Sequence, residues 1–128
     1  MTADFRKQIV ALCKRHIPDM RLLYLFGSHA SEQANKSSDV DLAIIRTKKM
    51  LAVTRWDIQQ ALAIELNKNI DLVDLLTAST VMQNEIINKG VCLYDESSYQ
   101  TNFEIQVMSM YQHLNEERSE LLSEFRRG

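Results

Sequence analysis

A run of five consecutive apolar residues, 22–26, constrains the fold of this chain more than any other feature. The run is short and has no polar interruption, which is typical of a strand buried inside a sheet. It ends abruptly at Gly27-Ser28, where glycine allows the backbone to turn sharply. The sequence therefore predicts a buried strand over residues 21–26 that is followed at once by a turn.

The rest of the chain alternates short apolar runs with stretches of helical periodicity. Three further strands are predicted at 40–45, 70–76 and 91–94. Apolar residues at helical spacing predict helices at 4–17, 49–67, 80–89 and 99–127. This order predicts an α/β (α+β) fold, with a mixed sheet of about four strands flanked by helices and a long C-terminal helix.

Composition narrows the class of protein. The 128 residues are enough for one ordinary domain. No apolar run approaches the roughly 20 residues that cross a bilayer, and the N-terminus does not resemble a secretory signal. Cys13 and Cys92 have no partner at metal-ligand spacing and are expected to be reduced thiols. We therefore expect a cytoplasmic protein without a membrane contact.

The overall charge bears on the kind of partner. The formal net charge is −2, whereas broad binding to nucleic acid requires clustered basic charge. No direct contact with nucleic acid is therefore expected. A small acceptor molecule or a protein partner suits this charge balance better.

Two aspartates, Asp39 and Asp41, begin the second predicted strand. Residues two apart on a strand point to the same face, so the two carboxylates stand side by side. Charges about 5 Å apart repel by roughly 3 kcal/mol at an effective dielectric constant of about 20. A shared proton, a nearby basic side chain or a bound cation could offset this repulsion. A divalent metal is the natural choice, because carboxylate oxygens suit Mg²⁺ or Mn²⁺.

A third acid, Asp71, begins the next apolar run. A neighbouring strand would bring it within reach of the first pair. Asp74 lies three residues further on and faces the opposite side, so we favour Asp71 as the third metal ligand. Three convergent carboxylates can hold two metals roughly 4 Å apart, which is an arrangement for phosphoryl transfer.

The Gly27-Ser28 turn provides a predicted phosphate site. Glycine lets the backbone approach a ligand closely, and a short helix that begins near Ser28 would direct free N–H groups at a phosphate. Ser28 would add a hydroxyl donor. The chain contains no Walker A loop. The complete pattern is Gly-Ser, ten residues, then Asp-x-Asp.

This pattern, together with the stretches Asp39-Val40-Asp41-Leu42 and Ile70-Asp71-Leu72, resembles the polymerase-beta-type nucleotidyltransferase superfamily. The chain is most similar to the minimal nucleotidyltransferases of the MntA antitoxin type, which are paired with HEPN-domain ribonuclease toxins. The likeness covers most of residues 21–95. It implies one minimal domain over 1–128, with a catalytic core over 1–95 and a helical tail over 96–128.

The resemblance also implies an activity. Asp39 and Asp41 match the two acids that bind two Mg²⁺ ions, and Asp71 matches the third acid, which also activates the acceptor hydroxyl. Gly27 and Ser28 match the turn that binds the nucleotide, usually ATP. The expected reaction is transfer of AMP from ATP to a tyrosine of a cognate HEPN toxin, which silences the toxin. Many relatives have Arg-Gly after the alanine that corresponds to Ala30, whereas this chain has Ser31 and Glu32, so it lacks the arginine that would contact a phosphate.

Two other functions stay open at this point. The same fold could neutralise a toxin by binding alone, or the enzyme could act on a small-molecule acceptor. The apolar face of the C-terminal helix could cover the sheet or dock a partner, and any oligomer would form through it. This face consists of Ile105, Met108, Tyr111, Leu114, Leu121 and Phe125. We expect Trp56 and Tyr111 to be core or interface residues.

Overall fold

The computed structural model of the chain describes residues 2–27 and 39–127. The short helix predicted near Ser28 lies outside these residues. Helices and strands alternate along the described part much as the sequence predicts, and α3 and α4 have the predicted bounds. The elements are α1 (Ala3–His16), β1 (Met20–Phe26), β2 (Val40–Arg46), α2 (Ala52–Leu66), β3 (Ile70–Asp74), α3 (Thr80–Lys89), β4 (Val91–Asp95) and α4 (Tyr99–Arg127).

The four strands form one mixed sheet in the order β3-β2-β1-β4. The central strand β1 pairs antiparallel with both β2 and β4. The other central strand, β2, pairs parallel with β3. The predicted mixed sheet of four strands is therefore confirmed, and its order places β3 and β4 at the two edges.

The side chains of β1 alternate between two helical layers. Leu23 and Leu25 pack in a cluster with residues of α1 and α2. Leu22 and Tyr24 pack in a second cluster with residues of α3 and α4. All four side chains are fully buried or nearly so. The strand that the sequence predicts to be buried is therefore enclosed on both faces, as an α/β sandwich requires.

Two predicted boundaries are wrong, one at the start of α2 and the other at the end of β3. The helix begins at Ala52 rather than at residue 49, and the strand ends at Asp74 rather than at 76. Met50 is buried, and its N–H donates to Asp74 Oδ2 at 2.8 Å. Asp74 Oδ1 also accepts the N–H of Leu76 at 3.0 Å. This one carboxylate therefore links the segment before α2 to the turn after β3, a contact that periodicity alone does not reveal.

The C-terminal helix contacts the sheet only near its beginning. Phe103 and Val107 are its buried residues, and they lie one helical turn apart. The Tyr24 hydroxyl donates to Glu104 Oε2 at 3.1 Å between these two residues. Burial, and then the nearby Glu104 carboxylate, raise the pKa of Tyr24, so this hydroxyl stays protonated.

The predicted apolar face of this helix does not cover the sheet. Tyr111 and Leu114 are half-buried. The other members are exposed, namely Ile105, Met108, Leu121 and Phe125. Trp56 on α2 is also exposed, so it does not belong to the core.

Both cysteines are free, as the sequence predicts. Cys13 is buried and Cys92 half-buried, and neither forms a disulfide. Burial raises the pKa of the Cys13 thiol to about 12, so this thiol is protonated at neutral pH. Among the helices described, none is both long enough and apolar enough to span a membrane.

A matched pair of leucines tests this assignment of the core. Leu62 on α2 is 0% exposed and Leu121 on α4 is 67% exposed. Leu62→Ala is expected to lower the free energy of unfolding by roughly 2–5 kcal/mol, because it leaves a cavity. Leu121→Ala is expected to change it by less than about 0.5 kcal/mol. Urea denaturation of both variants measures the two values, and equal losses would contradict the assignment.

Candidate active site

Gly27 directly follows β1 and lies against a carboxylate of the neighbouring strand. Its φ angle is +72°, in the left-handed region that favours glycine. A Cβ atom at this position would overlap Asp41 Oδ2 and lie 3.0 Å from Asp41 Cγ. The residue before Gly27, Phe26, is the register partner of Asp41. Glycine is therefore required here both by the backbone conformation and by the close approach of Asp41.

The parallel pairing of β2 with β3 places Asp41 beside Asp71. The two residues are register partners on adjacent strands, which lie roughly 4.8 Å apart. Their neighbours Leu42 and Leu72 pack towards α1 and α2. Because strand side chains alternate, Asp41 and Asp71 both face the side of the sheet that carries α3 and α4.

Asp39 lies immediately before β2, two residues from Asp41. Asp39 and Asp71 are exposed, and Asp41 is half-buried. In the described part of the chain, no hydrogen bond or ion pair engages the carboxylates of Asp39 or Asp71. The fold therefore brings three acidic positions to one end of the sheet, next to Gly27.

The side chains of these acids do not form a ready-made metal cluster. Among residues 2–27 and 39–127, no group of three His, Cys, Asp or Glu side chains is arranged to hold a metal ion. Gathering three carboxylates brings like charges together, which becomes favourable around a divalent cation. The carboxylates of Asp39 and Asp71 are on exposed residues, and the lack of a side chain at Gly27 leaves room for that of Asp41. The residues present therefore fit a hard cation with oxygen ligands.

Asp74 has a different environment from Asp71, although both lie on β3. It is 2% exposed and faces the side of α2. Its two oxygens accept the N–H groups of Met50 and Leu76. The structure thus gives Asp74 a structural role and leaves Asp71 on the face shared with Asp41.

Two residues of α2 hold the strand that carries Asp71, and the sequence analysis does not identify them. Arg55 Nη1 donates to the carbonyl oxygen of Leu72 at 3.1 Å. The N–H of Leu72 donates to Gln59 Oε1 at 2.9 Å. These side chains supply the hydrogen bonds that a further strand would make at this sheet edge. No motif or spacing marks such contacts, because they depend on how α2 lies against β3.

The predicted nucleotide site is only partly within the described residues. Gly27 is described, and Ser28 lies outside the described residues. Gly27 is the first residue of the predicted phosphate turn, and it lies against Asp41. The first and last residues of the Gly-Ser/Asp-x-Asp pattern are therefore close together in the fold.

Comparison with known proteins identifies the family. Residues 7–99 match the model of the family described as "Polymerase beta, Nucleotidyltransferase". This chain belongs to that family. It is accordingly a nucleotidyltransferase, and the fold predicted from the sequence is confirmed.

The relatives point to one branch of this family. The chain is 34% identical to the protein adenylyltransferase MntA of Shewanella oneidensis, over 91% of this chain and 84% of the relative. The chain is also 34% identical to a chain in a solved toxin–antitoxin structure with AMP-PNP. The two chains superpose with a TM-score of 0.85, and the match covers 93% of this chain and 96% of that one.

A second solved structure contains a tri-AMPylated HEPN toxin of Shewanella oneidensis in complex with an MNT antitoxin. It is 33% identical, with a TM-score of 0.78 over 93% of each chain. The predicted resemblance to the minimal nucleotidyltransferases of the MntA type is confirmed.

Substitution of the two β3 aspartates distinguishes their roles. Asp74→Ala is expected to lower the free energy of unfolding by roughly 2–4 kcal/mol, because it leaves the N–H groups of Met50 and Leu76 without acceptors. Asp71→Ala removes an exposed carboxylate and is expected to cost less than about 0.5 kcal/mol. Thermal or urea unfolding gives both values. A large loss for Asp71→Ala would mean that its role is structural.

Gly27→Ala tests the close approach of Asp41. The substitution is expected to lower the free energy of unfolding by more than the roughly 1–2 kcal/mol that left-handed backbone costs alanine, because the new methyl group displaces the carboxylate. In an Asp41→Ala background, the same substitution should lower the free energy of unfolding only by the roughly 1–2 kcal/mol that the left-handed backbone costs. A double-mutant cycle by urea denaturation measures the difference. Equal costs in both backgrounds would show that Gly27 and Asp41 do not interact.

Proposed function

We propose that this chain transfers AMP from ATP to a tyrosine hydroxyl of a cognate HEPN-type ribonuclease toxin and so neutralises it. The observation that carries the proposal is the parallel pairing of β2 with β3, which sets Asp41 beside Asp71. Asp41 is also the register partner of Phe26, the residue before Gly27. The adenylyltransferase name of the relative MntA supports AMP as the group transferred. One of the similar solved structures contains a tri-AMPylated HEPN toxin, which supports the toxin as the acceptor.

Each acid has a distinct role in this proposal. Asp39, Asp41 and Asp71 would hold the metal ions at the triphosphate. Asp71 also orients the acceptor tyrosine and accepts its hydroxyl proton. The exposed position of Asp71 at the sheet edge suits this role, because an acceptor on another protein must reach it.

The Gly27-Ser28 turn binds the triphosphate in this proposal. Gly27 lets the backbone approach the phosphates, and Ser28 donates its hydroxyl to them. The tyrosine oxygen attacks the α-phosphorus in line with the bond to the leaving group, and pyrophosphate departs. Positioning and charge neutralisation supply most of the rate acceleration.

The proposed metal is Mg²⁺, with two ions bound and Mn²⁺ as the alternative. Such ions, when bound, neutralise the charge that develops on the attacking and leaving oxygens. An all-carboxylate set of ligands is the hard-oxygen environment that these ions prefer. The protein contributes the three acids and the backbone register that keeps them on one face.

We also propose that the reaction takes place in the cytoplasm. ATP is the proposed donor, and the cytoplasm is where ATP and a cellular ribonuclease toxin would meet. The free thiols of Cys13 and Cys92 are compatible with a reducing compartment.

Aspartate-to-asparagine variants test the catalytic proposal. Purified chain is incubated with the cognate toxin, labelled ATP and Mg²⁺, and the toxin is then examined by intact-mass spectrometry. Asp41→Asn and Asp71→Asn are each expected to lower the rate of AMP transfer by at least roughly 10²-fold, because each removes a charge from the reacting centre. Asp57→Asn on the exposed surface of α2 is the matched control and should transfer AMP normally.

The same assay distinguishes metal-dependent AMP transfer from neutralisation of the toxin by binding alone. Removal of divalent ions with EDTA should abolish AMP addition, and Mg²⁺ or Mn²⁺ should restore it. Protection from the toxin without any mass increase, in the wild type and in Asp41→Asn alike, would favour neutralisation by binding alone. Normal AMP transfer by an Asp39→Asn/Asp41→Asn variant would refute the catalytic role of these acids.

A further inference from the structure

A groove of about 460 Å³ lies between α1 and the edge strand β4. It is separate from the face that carries the three acids, because α1 covers the opposite side of the sheet. Its floor is apolar and includes Val10, Val91 and Leu93. The groove is therefore a concave surface with both a helix wall and a strand edge, and the proposed catalytic residues do not line it.

Positive charge lines the helix side of this groove. Arg6, Lys7 and Lys14 of α1 contribute to it, and no acidic residue is among its lining residues. Lys14 already donates to the Tyr94 hydroxyl at 2.8 Å. Arg6 Nε is buried and has no hydrogen-bond partner in the described structure. No ion pair engages the Arg6 guanidinium in the described ranges, and this side chain lines the groove, so an anionic ligand would give it a charged partner.

The strand side of the groove offers backbone groups. β4 is at the edge of the sheet, and no strand in the described ranges pairs with its outer side. An unpaired edge presents alternate N–H and C=O groups, to which an extended peptide can add as a further strand. Two independent features therefore favour the same occupant, namely an extended segment with acidic side chains.

We propose that this groove, which we call the α1–β4 groove, docks an acidic, extended segment of the acceptor protein. The segment adds to β4, and its carboxylates pair with Arg6 and Lys7. Val91 is the register partner of Leu25, two residues before Gly27. A segment docked along β4 therefore leads towards the nucleotide turn, where the acceptor hydroxyl must be delivered. This inference rests on the proposed AMP transfer to a protein.

A second copy of this chain is a poorer occupant. Pairing two β4 edges would bring the basic residues of both grooves together, and like charges repel. Nucleic acid could pair with the basic residues, but it offers no N–H and C=O groups at strand spacing for the edge of β4. An acidic peptide therefore suits both the charge and the backbone groups of the groove better than either of these.

The first test uses the whole chain and a fluorescein-labelled ten-residue peptide of alternating glutamate and valine. Fluorescence anisotropy without ATP should show binding that weakens with added salt. Lys7→Glu, which alters an exposed side chain, should weaken binding roughly tenfold, and Arg6→Gln should also weaken it. Lys48→Glu is the matched control, because Lys48 is exposed in the turn after β2 at the far end of the sheet. It should bind the peptide as the wild type does.

Hydrogen exchange tests the position of the peptide. The amides of β4 that face outwards should become protected when the glutamate–valine peptide binds, and those of β3 should not. Equal affinity for an alternating lysine–valine peptide would overturn the proposal. Tighter binding of a single-stranded RNA of equal length, or a dimer seen in sedimentation that Lys7→Glu abolishes, would overturn it as well.

The kinetic test separates this inference from the proposed function. Lys7→Glu should raise the KM for the toxin about tenfold and leave the KM for ATP unchanged, since the groove contacts only the acceptor protein. An unchanged KM for the toxin would refute the docking site alone. Absence of AMP transfer by the wild type, with peptide binding intact, would refute the proposed function and leave the groove as a binding site of another kind.

Discussion

The burial of β1 and β2 between two helical layers is the constraint on which the rest of the structure depends. Their apolar side chains are enclosed on both faces, so neither strand can slip by one residue without moving a whole set of side chains to the wrong side. This register decides that Asp41 faces α3 and α4 and that it lies against Gly27. The position of the acids is therefore a consequence of core packing.

The edges of the sheet serve different purposes. At β3, the side chains of Arg55 and Gln59 form hydrogen bonds with the backbone groups of Leu72, next to Asp71, which is in register with Asp41. At β4, no strand of the described structure occupies the outer edge. One edge thus stabilises the site, and the other has backbone groups and neighbouring positive charge for a protein ligand.

Strand alternation made part of the site predictable. Residues an even number apart on a strand share a face, so the sequence alone places Asp39 and Asp41 together and separates Asp71 from Asp74. The contacts of Arg55 and Gln59 could not be predicted in this way, because they join residues that are distant in sequence. The same applies to the α1–β4 groove, which exists only because β4 lies beside β1 and α1 lies over that edge.

The sequence by itself determined the kinds of element, the enclosed central strand, and the spacing of Gly27 and the acids that identifies the family. Local periodicity and turn chemistry are sufficient for these, because each depends on residues close together in the chain. Only the tertiary structure decided which strands are neighbours, that Asp41 and Asp71 are register partners, and that α4 extends beyond its contact with the sheet at Phe103 and Val107. These features depend on long-range packing, where one apolar pattern is compatible with several arrangements of strands and helices.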